Sequence, residues 1–517
     1  MTFLSDLITK GYFPKELPPP FETVSLRRVL KGFPVIFVEN RKVPRCPDAK
    51  LDVYYLARPG ATRRRLAIPN PVVHIGLCKF LAAHWRDLKR LNNCSPISLS
   101  KMTRIKTRAV GWSHEHKELP RYRNQTRRFA RYVFQTDISR FYESTYTHVI
   151  PWAIHGKVSA KANFGFSLWG NELDAWVRRE QDNQTFGIPI GPDTSFIIAE
   201  TILSAIDAEL CRRMPEFRGF RHVDDYEAGF LERSKAEEAH RLLEESLREY
   251  ELALNAEKTK TIELPGRVTE SWAAELRAMR IRRTAVGQET DLLAFFDKMF
   301  ELSRVDPAGS VVKFGLGRML NTLVAPENWE MYQDLLLQCI AVEVGNTTYV
   351  LEELLKYRRR GRMLDILAIE ECLSLHIKDQ ARRGNSSEVA WSLWALIELG
   401  IKLRPEDRDA AVRLNCSPVH LLLLDLENRG LSAKGTAQLI WPNKITSADL
   451  YELNWLAVYE ANVKGWVSGY TGHSDYVAND EYFRILKANK VSFYNPARTI
   501  APPPAGRPPG TGGRGGY

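Results

Sequence analysis

The chain lacks the long apolar run that a membrane helix requires: no uninterrupted stretch approaches the ~20 residues needed to span a bilayer. Its opening residues, MTFLSDLITKGYFPKELPPPF, contain no h-region of a secretory signal. Cysteine is scarce and scattered. The seven residues (Cys46, Cys78, Cys94, Cys211, Cys339, Cys372 and Cys416) form no CxxC pair, so neither a zinc site nor a disulfide framework follows. These absences lead to the expectation of a cytoplasmic protein in a reducing compartment, with no membrane partner. Acid is also in deficit: 73 Lys and Arg against 62 Asp and Glu give a formal charge of +11, which favours polyanionic partners. The deficit is sharpest over residues 101–131, where ten basic residues face only Glu115 and Glu118. Aromatics interleaved in that run (Trp112, Tyr122, Phe129) favour a nucleic-acid track over a merely solvated helix face.

What is present is ample for a large core: 517 residues, 44% of them hydrophobic, predict two or more domains. Residues 14–20 are Pro-rich and read as an extended arm. Residues 72–91 carry apolar side chains at helical spacing (Ile75, Leu77, Phe80, Leu81). The β-branched and aromatic run 132–138 reads as a strand ending at Asp137. After the Gly/Pro loop 187–192 a helix is expected, capped by Asp193 or Ser195, with Ala199, Ile202, Leu203, Ile206 and Leu210 on one face. Residues 217–230 read as a hairpin with Asp224 and Asp225 near its turn. From about residue 290 to 490, Leu-rich stretches separated by short polar breaks predict an all-α region of stacked helical pairs, without a clean repeat period. The last residues, rich in Pro, Gly and Arg, cannot pack a core and are expected to be disordered.

The chemistry is carried by three carboxylates. Asp137 and the pair Asp224-Asp225 lie in segments that otherwise read as strands, where burying an ionised carboxylate requires a compensating charge. Two divalent metals, roughly 3.5–4 Å apart, would supply it and would align a hydroxyl with the α-phosphate of a nucleotide. Arg63, Arg64 and Arg65 offer guanidinium groups that pair bidentately with phosphate, without any sign of which one does so. Lys258 is placed to neutralise or protonate a leaving pyrophosphate, or is an exposed helix lysine. Gly187 and Gly191 would let backbone approach a nucleotide closely.

The succession Arg63-Arg64-Arg65-Leu-Ala-Ile-Pro69, TDISRFY, QTFGIPIGPDTS, HVDD and LNAEKT resembles the fingers and palm motifs of reverse transcriptases. More narrowly, GYFPKELPPPF, TDISRFYESTYTH and QTFGIPIGPDTS resemble the AbiK-like branch of bacterial abortive-infection, or defence-associated, reverse transcriptases. The match covers about residues 10–265. The resemblance implies an α+β palm and fingers over residues 1–285, an all-α C-terminal domain over 286–495 and a Pro/Gly/Arg tail over 496–517. It implies Mg2+, with Mn2+ as a substitute, held by Asp137, Asp224, Asp225 and the Ile138 carbonyl; dNTP substrates; a DNA product; a homo-oligomer; and an antiphage role. It places an aromatic gate against the ribose 2′-OH at Tyr142. Some members make DNA without a template from a tyrosine of their own chain, for which Tyr517 on the tail is a candidate beside Tyr12 and Tyr55. The rivals are a templated enzyme copying a bound noncoding RNA, and a non-catalytic nucleic-acid scaffold. Two departures from the motifs stand out: His222 occupies the position usually held by Tyr, and Thr185-Phe186-Gly187 replaces Pro-Gln-Gly. Among weaker patterns, Arg413 and His420 have the spacing of a ribonuclease motif, though a packing role is the simpler reading.

Overall fold

The computed structural model describes residues 2–34, 47–59, 62–320, 322–467 and 475–499. Among these residues the chain is a helix-rich α+β protein with three small antiparallel sheets. β1 (Asp52–Arg58) and β2 (Thr62–Ile68) form a hairpin, and β3 (Met102–Thr103) and β4 (Gly111–Trp112) a short ribbon. β5 (Tyr132–Asp137), β6 (Gly219–His222), β7 (Asp225–Phe230) and β8 (Lys260–Glu263) make a four-stranded sheet in the order β6-β7-β5-β8.

Strand alternation gives that sheet two unlike faces. Phe134 and its partner Ala228 lie on the face packed by the helix Arg233–Arg248, where the Phe134 ring stacks on His240. Tyr226 points to the same side and bonds Asp207 in the helix Asp193–Arg213. The opposite face carries Gln135, Glu227 and Gly229 beneath the helix Leu119–Arg127. Gly229 permits this contact, because a Cβ there would come within 2.4 Å of the Thr126 carbonyl oxygen. The same face continues, past the end of that helix, to Asp137 and Asp225.

After β8 the described residues contain no further strand, only helices, turns and an isolated bridge from Tyr494 to Phe21. Helices pack on one another, as Ile366–Arg383 does on the next helix Ser386–Leu399, and Ser417–Asn428 on Trp455–Val463. Gly384 and Gly400, at φ +73° and +71°, end their helices in the left-handed conformation that Gly adopts without penalty. The helical region is joined by hydrogen bonds to the β1 edge and to the arm 14–20. The Tyr55 N–H donates to Ser386 Oγ (2.7 Å), the Ala57 N–H to the Glu388 carboxylate (3.2 Å), and Trp391 Nε1 to the Glu16 carbonyl (2.8 Å). An otherwise open strand edge is thereby closed, and one hydrophobic cluster runs from Phe3 to Tyr494.

Several expectations need correction. The segment 72–91 is two helices, Pro71–Ala83 and Trp85–Asn93, meeting at His84. The Pro-rich arm 14–20 is folded against the core, with Leu17 buried. Asp193 does not cap its helix: Arg108 (2.5 Å) and the N–H groups of Ala109 and Val110 take its carboxylate instead, and Ser195 makes no cap either. Residues 495–499 are docked, with Arg498 paired to Glu22 and Thr499 bonded to Glu398. Tyr517 and the tail from 500 onward lie outside the described residues. No helix among the described residues is long and apolar enough to cross a membrane.

Candidate acidic site at the end of the sheet

β5 ends at Asp137 and β7 begins at Asp225, and the antiparallel register pairs these two residues directly. Asp225 pairs in turn with His222 of β6, so His222, Asp225 and Asp137 form one cross-strand row. The two-residue turn Val223-Asp224 closes the β6–β7 hairpin, and the Asp224 carbonyl accepts the Ile138 N–H at 3.2 Å. Asp137 and Ile138 thus lie at the same sheet end as Asp224 and Asp225, which are far from them in sequence.

The turn is strained. Val223 has φ +56°, at a position where such tight hairpins favour Gly, and a β-branched residue there costs about 1–3 kcal/mol. Two bonds hold it: the Val223 N–H donates to Ser100 Oγ (2.6 Å), and Arg221 Nη1 donates to the Val223 carbonyl (2.8 Å). Arg221 is fully buried and is itself fixed by Glu200 (2.7 Å) and Asp207 (2.8 Å), both also fully buried. Ser95 and Tyr226 donate to Asp207, and Asn92 and Ser98 to Glu200, so the network is well satisfied. It buttresses the acidic turn from the core face. The apolar pattern of residues 199–210 concealed it; the signal available in the sequence was Glu200 and Asp207, seven residues apart inside an otherwise apolar helix.

Asp137 is 6% exposed. Its Oδ2 is bonded by Lys258, while Oδ1 is buried without a hydrogen-bond partner. The turn carrying Lys258 docks on the strand end, with the Asn255 N–H donating to the Asp137 carbonyl (2.9 Å). Burial alone would lower the Lys258 ammonium, but the bond to Asp137 and the charges of Asp225 and Asp224 carry it above its usual range. Desolvation, and then the charge of Asp137, push the Asp224 carboxyl up. Asp225 keeps an open face to solvent, yet crowding by surrounding protein and the charge of Asp224 push its carboxyl up to about 7. These are hard oxygen donors in excess of the positive charge around them, and Asp137 has an unused buried oxygen. That chemistry fits Mg2+ or Mn2+. Among the described residues no group of three or more His, Cys, Asp or Glu side chains is placed to hold a metal ion.

The remaining predicted residues divide. Tyr142, in the short helix Phe141–Ser144, is half-buried; desolvation, then the charges of Asp224 and Glu200, hold its phenol above the usual range. Gly187 (φ +83°) seats its loop on that helix, where a Cβ would lie 3.3 Å from the Glu143 carbonyl oxygen. The adjacent Ile188 N–H donates to the Tyr142 carbonyl at 2.7 Å. Gly187 thus positions Tyr142. Of the three arginines, Arg64 acts electrostatically on both Asp224 and Tyr142. Arg63 is directed away, bonding the Arg383 (3.0 Å) and Gly384 (3.3 Å) carbonyls at the end of a helix and lying over Tyr55. Arg65, like Arg63, falls on the other face of β2 from Arg64. Arg58, which the motif reading omitted, is within the field of Asp224 and Glu143.

His222, the departure from the motif, packs edge-on against Trp112 (5.1 Å between centroids), and burial holds its imidazole down to about 4, hence neutral. The basic run 101–131 is partly structural: Arg104 pairs with Asp6, Arg108 with Asp193, and Arg123 and Arg127 with Glu227. Arg413 is exposed while His420 is buried, so they present no joint site.

No protein-family model matches the chain, and no curated protein matches it.

Proposed function

We propose that this protein is a reverse-transcriptase-like DNA polymerase of bacterial antiphage defence. In this reading the four-stranded sheet is the palm, the β1–β2 hairpin belongs to the fingers, and the helical region from about residue 286 replaces or extends the thumb. The observation that carries it is the direct pairing of Asp137 with Asp225, with Asp224 in the adjoining turn and Arg64 and Tyr142 in its field. Asp137, Asp224 and Asp225 would hold two Mg2+ or Mn2+ ions, with the Ile138 carbonyl nearby. When bound, such ions polarise a phosphoryl group and generate a nucleophile from a hydroxyl at neutral pH.

The chain's own groups then have separable tasks. Arg64 would pair with phosphate oxygens and stabilise charge that develops on them. Lys258, released from Asp137, would neutralise the departing pyrophosphate. The Tyr142 ring, set by Gly187, would exclude a ribose 2′-OH. Loss of the usual Tyr at His222 and of Pro-Gln-Gly at residues 185–187 supports synthesis without a template, primed from a tyrosine of the protein. The test incubates purified protein with Mg2+ and labelled dNTPs, with and without nuclease pretreatment. Label that migrates with denatured polypeptide, insensitive to nuclease pretreatment, supports the proposal; a defined copy of a co-purified RNA supports the templated form. No incorporation under either condition contradicts polymerase activity.

A further inference from the structure

Cations from three separate parts of the chain lie beside the β1–β2 hairpin: Arg58 and Arg64 on the hairpin itself, Lys15 on the arm and Lys313 in the helical region. In the β1–β2 register, Leu56 pairs with Arg64 and Arg58 with Thr62, so Arg58 and Arg64 are diagonal neighbours on the face that also carries Tyr54. The Tyr54 hydroxyl donates to the Glu16 carbonyl at 3.4 Å, which brings the arm holding Lys15 to that face. The helical region arrives at the end of β1 through the turn Val344–Asn346, where a Cβ on Gly345 would lie 3.1 Å from the Ala57 carbonyl oxygen. In the first turn of the next helix, Thr347–Arg359, Tyr349 carries the Lys313 ammonium 5.5 Å from its ring centroid. Lys313 is only half-exposed, and among the described residues neither it nor Lys15, Arg58 or Arg64 makes an ion pair. Burial holds the Lys313 ammonium below its usual range, and the charges of Lys15 and Arg64 act in the same direction, with Glu16 and Glu343 opposing. A partly desolvated ammonium such as that of Lys313, gathered with other cations and without a bonded carboxylate, is costly unless a compact anion joins them.

We propose that Lys313 joins Arg58, Arg64 and Lys15 in one cradle for the triphosphate of an incoming nucleotide, so that the helical region completes the substrate site. This rests on the polymerase reading for the nature of the ligand. It assigns the helical region a direct part in nucleotide binding.

The test is calorimetric titration of the full chain, in EDTA, with inorganic tripolyphosphate, with dATP and with a short single-stranded oligonucleotide. Lys313→Gln and Arg58→Gln should each weaken tripolyphosphate and dATP by about tenfold, as loss of one charge-assisted bond does. Arg63→Gln, whose side chain serves a helix end, should change neither. Lys313→Met, which keeps the packing on Tyr349, should match Lys313→Gln and shows that the loss is one of charge. Melting temperatures without ligand verify folding, and Arg58, being exposed, keeps the test open if a Lys313 variant misfolds. Tight binding by the parent protein with less than a twofold effect of both Lys313 variants overturns the cradle and leaves the polymerase reading standing. An effect confined to the oligonucleotide also overturns it, because the phosphates would then be those of a strand. Failure of the parent protein to bind either triphosphate probe in EDTA overturns the cradle, while the polymerase reading, in which metal ions hold the phosphates, stands or falls on the dNTP incorporation assay.

Discussion

Arg221→Met isolates the contribution of the buried network to the acidic turn. The substitution leaves Glu200 and Asp207, both fully buried, without their guanidinium, and removes the donor to the Val223 carbonyl. Breaking one member of a buried ion network costs about 3–5 kcal/mol, and the lost turn bond adds about 1 kcal/mol. For 517 residues unfolding together, an entropy of about 1.1 kcal/mol/K turns a loss of about 4–6 kcal/mol into a fall of about 4–6 °C in Tm. Urea unfolding followed by tryptophan fluorescence reads the free energy, and incorporation of labelled dNTP reads the turn. The triple variant Arg221→Met, Glu200→Gln, Asp207→Asn removes every unpaired charge and should regain most of the stability. It should not regain activity, because the Val223 carbonyl still lacks its anchor. Unfolding within about 1 kcal/mol of the parent for Arg221→Met, or full activity in the triple variant, would refute the buttress.

Burial pushes the Glu388 carboxyl up to about 8. Its folded-state pKa therefore exceeds the unfolded one, and the stability it contributes is present at low pH and lost as pH rises from about 4.5 to about 8. Glu388→Gln retains an acceptor for the Ala57 N–H, so its Tm should exceed that of the parent at pH 8.5 and vary less across this window in thermal melts. Gly229→Ala forces a Cβ against the Thr126 carbonyl and should destabilise by about 1–3 kcal/mol in urea melts. Tyr142→Ala should relax selection against ribonucleotides by about tenfold or more, seen as the dNTP-to-NTP ratio of kcat/KM. If that ratio is unchanged, Tyr142 is a packing residue.

How much of this was legible in the sequence depended on whether the signal was local. β5 shows as a β-branched run, and its end at Asp137 follows from the pattern alone. The hairpin at Asp224-Asp225 follows likewise, although Val223 in a left-handed conformation would not be chosen by propensity and persists only because Arg221 and Ser100 hold it. The three consecutive arginines could not be distinguished from motif position, yet strand alternation separates Arg64 from Arg63 and Arg65 once β2 is known to be a strand. The cap expected at Asp193 failed because a tertiary partner, Arg108, took the carboxylate. Lys313 could not have been found by motif: its place beside the hairpin depends on how Gly345 meets Ala57, nearly three hundred residues away in the chain. The Leu-rich helical character of residues 290–490 was readable, but the last strand ends at Glu263, before the boundary expected near 286, and the continuous core joining the regions was not legible.

The central claim is that Asp137 and Asp224 share divalent metal. Mn2+ titration followed by electron paramagnetic resonance, on the parent chain and on Asp137→Asn and Asp224→Asn separately, tests it most directly. The account predicts Mn2+ binding by the parent that each single substitution largely abolishes while the fold is retained. Parental Mn2+ affinity in both folded variants would contradict it.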